Sequence, residues 1–85
     1  MIHKLKLYPP YFQATLEGRK IFEIRDNSER GFQAGDSVLF EEYEKGIVNG
    51  SFTGRKLTAD IGYVCNYAQH ASNVVFSLVN IKEVK

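Results

Sequence analysis

The sequence predicts a mainly β fold, a partly open barrel carrying one or two short helices. Three observations predict it. Stretches in which apolar and polar residues alternate, the period-two signature of a strand, recur between clusters of glycine, proline and asparagine. One early segment has clear helical punctuation. The chain, with 85 residues of which 44% are hydrophobic, is long enough for a core. A single short helix, however, cannot cover both faces of an open sheet. Rolling the sheet onto itself is the simplest way to remove its edges.

Taken in order, Ile2 to Leu7 (IHKLKL) sets His3, Leu5 and Leu7 on one side and Ile2, Lys4 and Lys6 on the other. This is the first strand. Pro9 and Pro10 end it, and Pro10 suits the first turn of a helix, where its missing N–H is not needed. Phe12 and Leu16 then share a helix face, and Gly18 follows as a left-handed cap. The helix is therefore placed over Pro10 to Glu17. From Lys20 to Arg25, β-branched and aromatic content favours a second strand, bounded by Gly18 and by Asp26-Asn27-Ser28. Strict alternation assigns Phe22 and Ile24 to the core and Ile21, Glu23 and Arg25 to the opposite face.

The Gly35-Asp36 turn launches a third strand, Ser37 to Tyr43, with Phe32 folding back over the core. Residues 44 to 55 (EKGIVNGSFTGR) hold three of the seven glycines, and Asn49-Gly50 is a strong hairpin signal. They read as a hairpin loop or flap. Lys56 to Val64 is the fourth strand, with Leu57, Ala59, Ile61 and Tyr63 inward. Val74 to Val84 is apolar enough for a strand buried on both sides. Asn66 to Asn73 between them suits a loop at a barrel mouth. With no linker or repeat, residues 1–85 read as one domain.

Composition narrows the function classes. Eleven Lys and Arg against ten Asp and Glu give a net charge of +1, far from the strongly basic balance of avid nucleic-acid binders. No stretch approaches the roughly 20 apolar residues of a membrane span. The opening MIHKLKLYPP lacks the apolar run of a signal peptide, so a cytoplasmic location without a membrane partner is expected. Cys65 is the single cysteine, which fits a reducing compartment. Cys65, His3 and His70 match no zinc spacing. Neither metal nor cofactor is expected, and the bland reading of Cys65 is a small buried residue. His3 and His70 suit the surface or a satisfied hydrogen bond better than proton shuttling.

The informative stretch is GRKIFEIR, residues 18 to 25. Glu23 and Arg25 lie two apart on one face, close enough to pair. As a solvated ion pair they would be worth only about 0.2–1 kcal/mol. Lys20 is an odd three positions before Glu23, yet it falls where the chain is still turning after Gly18, and its flexible stem can bring the ammonium round to Glu23. Residue types alone leave a surface pair and a functional cluster both open.

These residues resemble the GxKxxExR pattern of the ASCH domains, a branch of the PUA-like superfamily, through Gly18, Lys20, Glu23 and Arg25. The opening IHKLKLYPPYFQATLEG, the segment RDNSERGFQAGDSVLFEEY and the strand ending IGYV are similar to one small stand-alone bacterial and phage family within it, so nearly the whole chain is covered. The resemblance implies a PUA-like pseudo-barrel whose motif strand lines a cleft beside the helix. It also implies RNA or a nucleotide-derived ligand. Lys20 and Arg25 would then face phosphate or a base edge, and Glu23 would orient one of them or accept from a base amino group. Asn27 and Arg30, which follow the motif, would extend the cleft or serve as turn residues. Tyr8, Tyr11, Phe32, Tyr43 and Tyr63 are candidate stacking platforms, although for each taken alone core packing is the stronger reading.

Two alternatives stand beside RNA or nucleotide binding. The first is a small amidohydrolase or nuclease acting on modified nucleosides or RNA, with Lys20 and Glu23 as catalytic candidates. The resemblance to ASCH-like amidohydrolases implies a catalytic lysine, threonine and glutamate. Lys20 matches the lysine, Glu23 holds the threonine's place, and only Asp60 and Glu83 are acidic after residue 56. Ser28, Ser51 and Thr53 are turn-like hydroxyls with no histidine nearby. The second alternative is a protein-interaction module using the loop of residues 44 to 55.

Overall fold

The structure, a computed structural model, describes residues 1–26, 31–46, 49–65 and 73–84. Within them lie β1 (Ile2–Leu7), α1 (Pro9–Leu16), β2 (Phe22–Asp26), β3 (Ser37–Glu44), β4 (Ser51–Cys65) and β5 (Asn73–Val84). The strands form one sheet in the order β1-β3-β4-β5-β2. The β1–β3 pair is parallel and the other three pairs are antiparallel. The sheet curls until its two edge strands, β1 and β2, approach each other, and the Arg25 guanidinium of one reaches the Lys6 carbonyl of the other at 2.7 Å. The fold is a partly open barrel. Among the described residues no helix is long and apolar enough to cross a membrane.

Curling needs local bends, and three register irregularities supply them. Between Glu41 and Tyr43 of β3, the facing stretch of β4 runs from Lys56 to Phe52, and Gly54 there adopts φ +94°. Opposite Thr58 and Asp60, β5 carries an extra residue, and Asn80 takes the left-handed φ of 55°. Its amide donates to Asp60 Oδ2 at 3.0 Å and, with the Ser37 hydroxyl at 2.8 Å, holds the Asp60 carboxyl below its ordinary range. The third bulge lies between Ile61 and Val64. It shifts the phase of alternation there, which corrects the inward assignment of Tyr63: Leu57, Ala59 and Ile61 are buried but Tyr63 faces solvent.

The core is built from Val38 and Phe40 of β3, Leu57 and Ile61 of β4, Phe76 and Leu78 of β5, Leu5 and Leu7 of β1, and Phe12 of α1. Phe32 does fold back over it, stacking on Phe76 at 4.8 Å and on His3 at 4.6 Å. Three other expectations are corrected. β5 is buried on one side only, through Val74, Phe76 and Leu78, because the outer face of a rolled sheet has no covering layer. The hairpin expected over residues 44 to 55 does join β3 to β4, but its loop is shorter than expected, since Ser51 and Phe52 already pair with Glu44 and Tyr43. Cys65 is half-buried at the end of β4. The loop expected from Asn66 to Asn73 lies outside the described residues except for Asn73, which opens β5. His70 lies outside them too.

Helix α1 starts and stops where its residue types dictate. Tyr8 is extended before Pro9 and Pro10, and Gly18 at φ +79° closes the other end. The Ala14 carbonyl then accepts from the Arg19 and Lys20 amides, so Lys20 lies in the turn and β2 begins only at Phe22.

His3, inside the barrel, donates from Nε2 to Asp36 Oδ2 at 2.9 Å. That hydrogen bond, with a smaller one from the Gln33 amide, holds the Asp36 carboxyl below its usual range against the opposing effect of desolvation. Because the folded-state value is depressed, the stabilisation is present above the unfolded value near pH 4 and is lost as pH falls through the folded one. Asp36→Asn is therefore expected to lower the urea midpoint at pH 7, and its deficit relative to wild type should shrink as the pH is taken below about 4. A deficit independent of pH would show that the pair contributes no proton-linked stability.

Candidate functional site

Strand β2 turns its motif inward. Glu23 faces Phe76 across the β2–β5 ladder and Arg25 faces Val74, both core residues, so the motif carboxylate and guanidinium share the concave side with them. This inverts the face assignment made from alternation, for Phe22 and Ile24 are about half exposed and Glu23 is 8% exposed. The physical reason is electrostatic. A carboxylate can be buried when cations and hydrogen bonds replace its water, and Glu23 has two such partners.

Lys20 Nζ donates to Glu23 Oε2 at 3.0 Å and to the Phe22 carbonyl at 2.8 Å. Arg25 Nε lies 3.4 Å from Glu23 Oε1, while its Nη2 makes the bond to Lys6 across the seam. The three polar tips of the motif thus converge on one another. Asn27 and Arg30 lie outside the described residues.

Between the two sheet edges is a cleft of about 410 Å³, inside the size range of small-ligand sites. β1 contributes Lys6 and Leu7, α1 and the residue before it contribute Tyr11 and Tyr8, β2 contributes Glu23, Ile24 and Arg25, and β3 contributes Tyr43. Lys20 acts on the cleft through Glu23 rather than lining it. Of the five candidate stacking aromatics, Tyr8, Tyr11 and Tyr43 line the cleft, Phe32 is core, and Tyr63 projects from the third bulge. Sequence reasoning missed Lys6. The signal was present, since alternation puts Lys6 outside β1, but only knowledge that β1 is an edge strand turns that position into a cleft wall.

A second buried carboxylate, Glu42, was also missed. It sits on the inner face of β3 and accepts from Thr53 Oγ1 at 2.6 Å. Arg55 reaches Glu42 at 3.6 Å and Glu83 at 3.8 Å, donates to Gln13 of α1 at 3.2 Å and covers the Phe12 ring. The bulge around Gly54 aims Thr53 and Arg55 this way. The cluster fastens α1 to β3, β4 and β5. Every buried side-chain nitrogen and oxygen among the described residues has a hydrogen-bond partner, so these two carboxylates are satisfied features of the fold.

The arrangement offers a guanidinium and an ammonium at a tyrosine-lined slot. Chemically that suits a ligand with an anionic group and a flat ring. Comparison with known proteins gives two findings. A family described as a domain of unknown function, DUF3850, matches residues 2–78. An uncharacterised 12.9 kDa protein in the GpA 3′ region of Escherichia phage P2 is 40% identical over 60 residues, which cover 71% of this chain and 50% of that protein. The chain spans about half the length of this curated relative.

Proposed function

The chain belongs to the DUF3850 family, and we propose that it is a PUA-like domain of the ASCH type that binds single-stranded RNA or a nucleotide-derived ligand in the cleft between β1 and β2, in the cytoplasm. The observation that carries this reading is the convergence of Glu23 and Arg25 with Tyr8, Tyr11, Tyr43 and Lys6 around one recess. Arg25 supplies a planar fork for phosphate or a base edge, Lys6 a point charge, and the tyrosines supply stacking faces. Glu23 orients Arg25. Lys20 balances Glu23, so that the carboxylate does not repel an incoming anion.

Binding is favoured over hydrolysis. The lysine that resembles a catalytic one is engaged by Glu23 and the Phe22 carbonyl, and Thr53 is bonded to Glu42 in the cluster that anchors α1.

Titration of the protein with a fluorescent single-stranded RNA at several salt concentrations tests the reading. Affinity is expected to fall with salt at about 0.7 log unit per log unit for each phosphate contacted, and Lys6→Ala should reduce that slope by roughly one such contact. Affinity indifferent to salt, or no binding, would overturn it.

A further inference from the structure

The cleft does not end at Tyr43. Across the β3–β4 ladder Tyr43 is paired directly with Phe52, and the two rings meet edge to face at 5.2 Å. Phe52 is half exposed although it has a large apolar ring. The Tyr8 ring lies 6.5 Å from that of Tyr43. The Lys6 ammonium stands 4.5 Å from the centre of the Tyr43 ring and 5.7 Å from that of Phe52. A Cβ on Gly50 would collide with the Tyr43 ring, so the backbone there is shaped to the tyrosine. The result is a strip of three rings with one cation, running from the mouth of the cleft over the outer face of the sheet.

We propose, on the footing of the cleft reading above, that the ligand is an oligonucleotide strand rather than a mononucleotide: one nucleotide occupies the cleft at Arg25, and the base of its neighbour stacks on the Tyr43–Phe52 pair. Two features argue for a strand. The strip is continuous with the cleft through Tyr43, which belongs to both, and the Lys6 ammonium beside these rings supplies a cation for the phosphate that links two nucleotides. Stacking on an aromatic is worth about 1–3 kcal/mol per base and tolerates any base, so this part of the surface adds affinity without reading sequence.

The test compares uridine monophosphate with a short oligouridylate by calorimetric titration, using wild type, Phe52→Ala and Phe52→Tyr. The oligonucleotide should bind wild type more tightly than the monophosphate. Phe52→Ala should weaken the oligonucleotide about tenfold and leave the monophosphate unchanged, and Phe52→Tyr should restore the difference. Because Phe52 is half exposed, thermal unfolding of the variants is expected to stay near wild type. Equal affinity for both ligands with a silent Phe52→Ala would overturn the strand proposal while leaving the cleft reading intact. Failure of both ligands to bind wild type would overturn both.

Discussion

Replacing Phe76 by alanine is expected to destabilise the protein by about 3–5 kcal/mol. Phe76 is fully buried and lies on β5 between Glu23 of β2 and Val64 of β4. It also ends the run of rings that passes through Phe32 to His3, so it ties β5, the last strand along the chain, to β1, the first. Truncation would open a cavity that β2 cannot collapse to fill, because β2 is an edge strand whose inward side chains are Glu23 and Arg25. A domain of this length has on the order of 4–13 kcal/mol of stability, so roughly a quarter or more would be lost. Urea unfolding followed by circular dichroism measures it. A loss under about 1 kcal/mol would mean that these packed rings do not hold β5 against β1.

Arg25→Ala should have the largest effect on binding, weakening single-stranded RNA by roughly ten- to a hundredfold, as expected for loss of a forked guanidinium contact. Three consequences combine. The donor to the ligand disappears, the bond to the Lys6 carbonyl that spans the seam disappears with it, and Glu23 keeps only Lys20 as a partner. Arg25→Lys retains the charge but not the planar fork, so it should recover only part of the loss. Thermal unfolding beside the titration separates a weakened seam from a missing contact. A folded Arg25→Ala protein with wild-type affinity would remove this residue from the site.

Much of this architecture could be read from residue types. Alternation placed β1, the Gly35-Asp36 turn placed β3, the prolines and Gly18 bracketed α1 to within a residue, and Lys20 was expected to swing toward Glu23 from a turning backbone, as it does. What failed had a common cause. Strict alternation assumes an unbroken ladder, and the bulge after Ile61 reversed Tyr63 while the one around Gly54 turned loop-like residues into strand. In β2 hydrophobicity misled, because a carboxylate with two cations can occupy the inner face while Phe22 and Ile24 face out. Glu42 escaped notice because its partners, Thr53 and Arg55, lie on the next strand more than ten residues along the chain, and nothing local marks a carboxylate as buried. The cleft aromatics were nameable, but choosing Tyr43 over Phe32 required the register of the sheet.

The pairing of β2 with β5 has a further implication, for the order of assembly. Glu23 is matched with Phe76, about fifty residues later, and β1 waits in the same way for β3. During synthesis, the strand that bears the motif emerges well before its neighbour and remains unpaired until β5, about fifty residues later, has left the ribosome. Such distant partnerships raise contact order and slow folding. The recess between the sheet edges therefore comes into being only once β5 has docked, and a nascent chain halted at residue 65 would carry all of GRKIFEIR with no strand on which to hang it.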